Sequence, residues 1–216
     1  MRRTRLIPAL ALCLVLLVTA GCGTPQRTAA VPRPEGKLAV VGFTNPIYNW
    51  QLLAGYLDEE GRPVPDGTLS ALDSVLIDTL HRHQVYDFIT PDSVAPCQEL
   101  VVFEESGMPK LSSWKYWLGV GKCVQADVLL VPQVTHWRER EGTTSGVTHA
   151  ASVALEFFLI DVKNERMTRA RYEETQVGLL ENLFTARKFA DRGGAWVTAT
   201  RLASDGIEEK LMELGL

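Results

Sequence analysis

The run LAVVGF, Leu38 to Phe43, has no polar side chain and is rich in β-branched residues. A half-buried strand alternates apolar and polar positions; a continuous run reads as a strand covered on both faces. It commits the chain to a sheet with helices packed on it. The rest of the chain reads accordingly. Thr44 to Gly67 is irregular, broken by Asn45-Pro46, Gly61, Pro63 and Pro65. Asp66 is placed to cap a helix from Thr68 to His83, with Leu69, Leu72, Leu76 and Leu80 as its inner stripe. VYDFIT, Val85 to Thr90, is a second strand stopped by Pro91, and a loop with Pro96, Gly107 and Pro109 follows. Ser112 starts a helix through Trp114, Trp117, Leu118 and Val124. VLLVPQVTHW is a third strand, in which Pro132 predicts an edge position or a bulge.

Arg138 to Thr148 is polar, with Gly142 and Gly146, and reads as a flexible hairpin loop. Ala150 to Asp161 is a long strand with Val153, Leu155, Phe157 and Leu159 on one face. Met167 to Val177 is the last strand, with Arg169, Arg171 and Glu173 alternating onto a solvent face. Leu179 to Arg192 predicts a short helix broken by Gly193-Gly194, and a final helix runs from about Ala195 to Leu214. The expected fold is a single α/β (α+β) domain. Its order is β-α-β-α-β-β-β-α, with a mixed sheet of about five strands flanked by helices.

The amino terminus carries a different signal. Arg2, Arg3 and Arg5 precede Leu6 to Ala20, which has no charge, and then come Ala20, Gly21 and Cys22. The apolar stretch has the length of a signal-peptide core and falls short of a membrane span of ~20 residues. The order of charge, apolar run, small residues and cysteine resembles the bacterial lipoprotein signal, with Thr19 where leucine is commonest. That resemblance implies cleavage before Cys22 and diacylglycerol on its thiol, so palmitate-type chains anchor the mature protein. It also implies 1–21 as signal peptide, 22–36 as lipidated cysteine and flexible tether, and 37–216 as a periplasmic domain. Gly23 is not the aspartate that retains lipoproteins in the inner membrane, which favours the outer membrane, its inner leaflet facing the periplasm.

Composition narrows the function. The formal charge of the 216 residues is −4, and the leader removes only arginines, so the mature chain is more acidic still. That argues against nucleic-acid binding, whose footprint is a basic patch. Of four cysteines, Cys13 leaves with the leader and Cys22 takes the lipid. Cys97 and Cys123 remain in a compartment that permits disulfides. A bridge between them would stabilise by ~3 kcal/mol in the chain-entropy model; the alternative is two buried free thiols.

The element order, with AVVGF, VYDFITPDSV, ADVLLVPQVTHW and ALEFFLIDVKNERMTRARYEETQ as its strands and a terminal helix after them, resembles a group of envelope proteins. The group includes the curli-secretion lipoprotein CsgG, the penicillin-binding-protein activator LpoB and the amino-terminal domain of TolB. The likeness spans about residues 37–215. Members typically read Asp-x-x-Thr-Gly at the hairpin turn, where this chain has Asp161-Val162-Lys163-Asn164-Glu165-Arg166. The resemblance implies assembly, export or activation roles carried out through protein contacts.

Catalytic patterns are missing. His81 and His83 diverge by ~200° on a helix, which makes them poor co-ligands. His136 and His149 flank the hairpin loop as exposed strand-end residues. Ser106-Gly107 and Ser145-Gly146 lack the Gly-x-Ser-x-Gly elbow. Gly119-Val120-Gly121-Lys122 lacks the upstream glycine and the Ser/Thr of a phosphate loop and lies within a helical pattern. The acidic pairs Asp58-Glu59-Glu60, Glu104-Glu105 and Glu173-Glu174 are chain neighbours, which diverge. No enzyme, metal or cofactor is expected. Nor is a barrel: the inserts Thr44 to Pro65 and Pro91 to Ser112 contain prolines and do not alternate over ~9–11 residues per strand.

The expected function is a lipid-anchored accessory or scaffold in an envelope assembly, export or cell-wall complex, with a membrane contact through the lipid and an envelope protein as partner. The alternative is a solute- or glycan-binding lipoprotein with Trp50, Trp114 and Trp117 as stacking platforms. The candidate partner interface is Leu183, Phe184, Lys188 and Phe189, within Leu179 to Gly194. It is an apolar stripe beside Arg187, Lys188 and Arg192. The alternative is that Leu183, Phe184 and Phe189 pack under the sheet edge.

Overall fold

The structure, a computed structural model, describes residues 31–48, 51–55, 57, 63–104, 112–177 and 186–216, without the side chains of 102–104 and 186–187. Seven strands and five helices are defined over these residues: β1 (Leu38–Val40), α1 (Thr68–Arg82), β2 (Phe88–Ile89), α2 (Pro91–Glu104), α3 (Ser113–Cys123), β3 (Val128–Arg138), β4 (Glu141–Gly142), β5 (Val147–His149), β6 (Ser152–Asp161), β7 (Arg166–Thr175), α4 (Ala186–Asp191) and α5 (Ala199–Glu213).

Five strands form one mixed sheet in the order β2-β1-β3-β6-β7. β1 runs parallel to both β2 and β3. The β3–β6–β7 meander is antiparallel. β4 and β5 pair as a separate two-stranded hairpin between β3 and β6. The stretch that reads as a flexible loop is thus partly ordered.

Both faces of the sheet are buried, as the LAVVGF run demands. On one side Leu72, Leu76 and Leu80 of α1 and Leu202, Ile207 and Leu211 of α5 pack on Val40, Leu130, Leu155, Phe157 and Tyr172. On the other, Val94 of α2 and Trp117, Leu118 and Val120 of α3 pack on Val41, Leu129, Val131, Phe158 and Ile160. β6 supplies both layers because successive side chains point to opposite faces.

Three local expectations are corrected. α1 is capped by Gly67 at φ 76° with no side-chain hydrogen bond, so Asp66 does not cap it. Pro91 opens α2 and does not begin a loop: Ser93 and Val94 donate to the Thr90 carbonyl, and a proline at the first helical position has no N–H to lose. Pro96 is tolerated inside the same helix. Pro132 lies in the central strand and not at an edge. The carbonyls of Leu130 and Pro132 face β1, accepting from Val41 and Thr44 at 2.9 and 3.2 Å. The missing Pro132 donor points the same way, and there β1 has ended at Val40, leaving the single Thr44–Gln133 bridge. The bulge comes just after it, between Val134 and His136.

Ser112 caps α3, its hydroxyl accepting from the Lys115 N–H at 3.4 Å. Val31–Leu216 is one compact unit. It takes in Val31 to Gly36, which composition assigns to the tether. Cys22, the leader and residues 23–30 lie outside the described residues, as do Trp50, Leu183 and Phe184.

Candidate partner interface

The carboxyl-terminal ends of β3 and β7 meet the β4–β5 hairpin and α4 at one end of the sheet. Phe189 of α4 is only 7% exposed. Its ring packs edge-on against Trp196, centroids 5.3 Å apart. Gly193 and Gly194, at φ 73° and 70°, reverse the chain between them. The backbone that follows is zipped to its surroundings. The Gln176 amide donates to the Ala195 carbonyl and accepts from the Val197 N–H, both at 2.8 Å. Trp196 donates to the Thr144 carbonyl of the hairpin at 2.9 Å. The Glu139 carboxylate accepts from the Ala199 N–H at 3.1 Å, at the amino terminus of α5.

Beneath α4 lies a buried ion network. Arg192, 8% exposed, reaches Glu174 on β7 at 2.5 Å and Asp205 on α5 at 2.8 Å. The Tyr172 hydroxyl donates to Glu174. The Lys188 ammonium lies 3.2 Å from Glu174 and 3.7 Å from Glu209, and 5.2 Å from the Tyr172 ring centroid. Burial alone would raise the Glu174 pKa, but the hydrogen bonds from Arg192 and Tyr172 and the nearby cations outweigh it and hold it at about 2. Burial also pushes the Tyr172 hydroxyl up, and the Glu174 carboxylate adds to this.

This geometry changes the reading of Leu179 to Gly194. Phe189 is packed inside against Trp196 and is not an interface residue. Lys188 and Arg192 are not free positive charge, since β7 and α5 bring carboxylates to both. Leu183 and Phe184 are outside the described residues. Sequence spacing carries no sign of the network, because Glu174, Arg192 and Asp205 come from β7, the turn after α4 and α5.

The other candidate residues disperse. Cys97 of α2 and Cys123 of α3 are joined by a disulfide, Cα atoms 5.8 Å apart. The His81 ring stacks on Tyr86 at 5.6 Å. The two ring nitrogens of His83 lie 2.8 Å from the Leu216 carbonyl and from Glu208. His149 is 2.8 Å from Glu141, and His136 sits opposite Ala154 in the ladder. Among the described residues no group of three His, Cys, Asp or Glu is arranged to hold a metal. Trp117 is 3% exposed and Trp114 half-buried, so Trp117 is core and offers no stacking face. A cavity of about 320 Å³ lies at the opposite end, bordered by Arg33, Leu38, Tyr86, Val128 and Leu216. Its arginine is spent on the His83 and Gln84 carbonyls at 3.0 and 3.3 Å. Gln84, Tyr86 and Asp87 are the other polar residues of its lining.

No protein-family model matches the chain, and no curated protein matches it. Among solved structures it is similar to the PelC dodecamer from Paraburkholderia phytofirmans, at 19% identity and TM-score 0.45, over 86% of this chain and 90% of that one. It is similar to lipoprotein GNA1162 from Neisseria meningitidis, at 17% identity and TM-score 0.37, over 74% and 96%. It is also similar to the LpoB C-terminal domain from Escherichia coli, at 15% identity and TM-score 0.34, over 74% and 94%. Likenesses at this level assign no activity, and function rests on the chain's own residues.

Proposed function

We propose that this chain is a lipid-anchored envelope protein that acts as a non-catalytic accessory or scaffold in an envelope assembly, export or cell-wall complex. One observation carries the reading. Arg2, Arg3 and Arg5, the uncharged stretch Leu6 to Ala20, and Gly21-Cys22 stand in the order of a lipidation signal, ahead of a folded α/β unit. Two or three acyl chains on Cys22, each buried methylene contributing ~0.8 kcal/mol, suffice for a stable anchor. Gly23 in place of an aspartate favours the outer membrane. The partner is a protein, and it docks through the stretch Leu179 to Gly194, whose described part includes α4, at the end of the sheet. A protein that works by contact needs a rigid support under its contact surface, and the Arg192 network with the Phe189–Trp196 pair provides one.

Cys22→Ser tests the anchor. The expected result is an uncleaved precursor that incorporates no labelled palmitate. Normal processing and membrane retention of that variant would sink the proposal.

A further inference from the structure

We infer that the end of the domain at which the chain enters, presenting Val31, Tyr86 and Met212, rests on the lipid surface that holds the anchor. The inference rests on the reading of Cys22 as the lipidated residue.

Three observations carry it. The first is exposure. Val31, Tyr86 and Met212 are 50%, 69% and 56% exposed; the other large apolar side chains comparably exposed among the described residues, Ile47, Tyr48 and Leu100, belong to the segment after β1 and to α2. The first three lie at one end of the molecule. Val31 and Pro32 lie against Gly215, whose N–H donates to the Met212 carbonyl. Tyr86 and Leu216 border the same cavity. Tyrosine, with an apolar ring and a polar tip, suits the level of lipid headgroups.

The second is chain length. From Cys22 to Val31 the backbone spans at most about 30 Å when fully extended. A lipid on Cys22 therefore keeps Val31 within that distance of the membrane surface. The hairpin lies at the far end of β3, a strand of 11 residues.

The third is how this end is fastened. Arg33 donates to the carbonyls of His83 and Gln84 at the end of α1. The Lys37 N–H donates to Asp127 at 2.7 Å. Gly36 passes so close to Asp127 that a Cβ would meet it at 2.6 Å. The entering chain is thus held to the body of the domain from Arg33 onward.

Charge does not supply the grip. Arg82 pairs with Glu208, Lys210 with Glu209 and Glu213, and Arg33 donates to two backbone carbonyls. The contact is a weak apolar one, made effective by the covalent anchor through local concentration.

The full-length lipidated protein, reconstituted in phosphatidylethanolamine–phosphatidylglycerol vesicles, tests the idea. A bimane label is placed in three separate variants, Tyr86→Cys, Met212→Cys and Ser145→Cys. Nitroxide on the lipid headgroups reports proximity, and mass spectrometry of the Cys22 peptide reports lipidation. With diacylglycerol on Cys22, the labels at 86 and 212 should lose fluorescence and the label at 145, on the hairpin, should keep it. Equal loss at all three sites, loss at 145 alone, or crosslinking of 86 or 212 to a second copy or another protein would overturn this inference and leave the anchor standing. A Cys22 peptide without lipid would overturn both.

Discussion

Arg192 and Glu174 show how a single pair can govern a region. Both are nearly buried, and an ion taken out of water is tolerated only when paired and hydrogen-bonded. Arg192→Ala would remove the cation that Glu174 and Asp205 share, leaving only the more exposed Lys188 beside Glu174 and Arg201 beside Asp205. The expected cost is ~3–5 kcal/mol by urea denaturation at neutral pH. The same pair sets an acid limit. Glu174 is held at about 2 in the fold against an ordinary 4.5. A depressed carboxyl stabilises above its unfolded value, and that contribution is lost as pH falls from about 4.5 through about 2, amounting to ~3 kcal/mol. Urea midpoints measured from pH 6 to pH 2.5 should fall, and should fall less steeply in Glu174→Gln. Gly206 sets a second limit. A Cβ there would meet the Tyr172 ring at 2.4 Å. Alanine gains ~1 kcal/mol in helix propensity, but overpacking a core ring costs ~1–3 kcal/mol. Gly206→Ala should therefore lower the melting temperature, although the position is helical.

At the scale of elements, the disulfide joins α2 to α3 on one face of the sheet. The opposite layer, α1 with α5, has no such link among the described residues and rests on its leucine stripe. Opening the bridge by Cys97→Ser with Cys123→Ser should cost ~3 kcal/mol, through the freedom regained by the unfolded chain. The loss should appear in hydrogen exchange as earlier opening of α2 and α3, with α1 and α5 less affected. Uniform loss across both layers would mean that the two faces open together. α2 also shows why proline is ambiguous in sequence. Pro91 ends a strand and begins a helix equally well, since its fixed φ suits both; the choice fell to Val94, whose side chain is fully buried on the sheet.

At the scale of the molecule, one end of the sheet receives the entering chain and the other carries the proposed partner surface. Replacing Leu183 and Phe184 together by serine should abolish recovery of the partner after crosslinking in membranes. The melting temperature should stay nearly unchanged, because the Arg192 network and Phe189 remain. A drop of several degrees, or undiminished recovery, would count against that surface. The local sequence was sufficient for the five strands of the main sheet, for α1, α3 and α5 and for burial of both sheet faces, and not for α2, which reads as a loop, or for the β4–β5 hairpin. The hydrophobic effect acts on periodicity, and periodicity is written along the chain: Leu72, Leu76 and Leu80 repeat at helical spacing, and LAVVGF does not alternate. Ser112 as a cap was legible for the same reason, since its partner lies three residues away. Tertiary structure alone decided the rest. It put Glu174, Arg192 and Asp205 within hydrogen-bonding distance, took Lys188 into ion pairs and Phe189 into the core, made Pro132 central, and brought Val31, Tyr86 and Met212 to one end. Each of these depends on groups far apart in the chain, and nothing in local propensity or spacing records which distant elements the closing of a sheet will bring together.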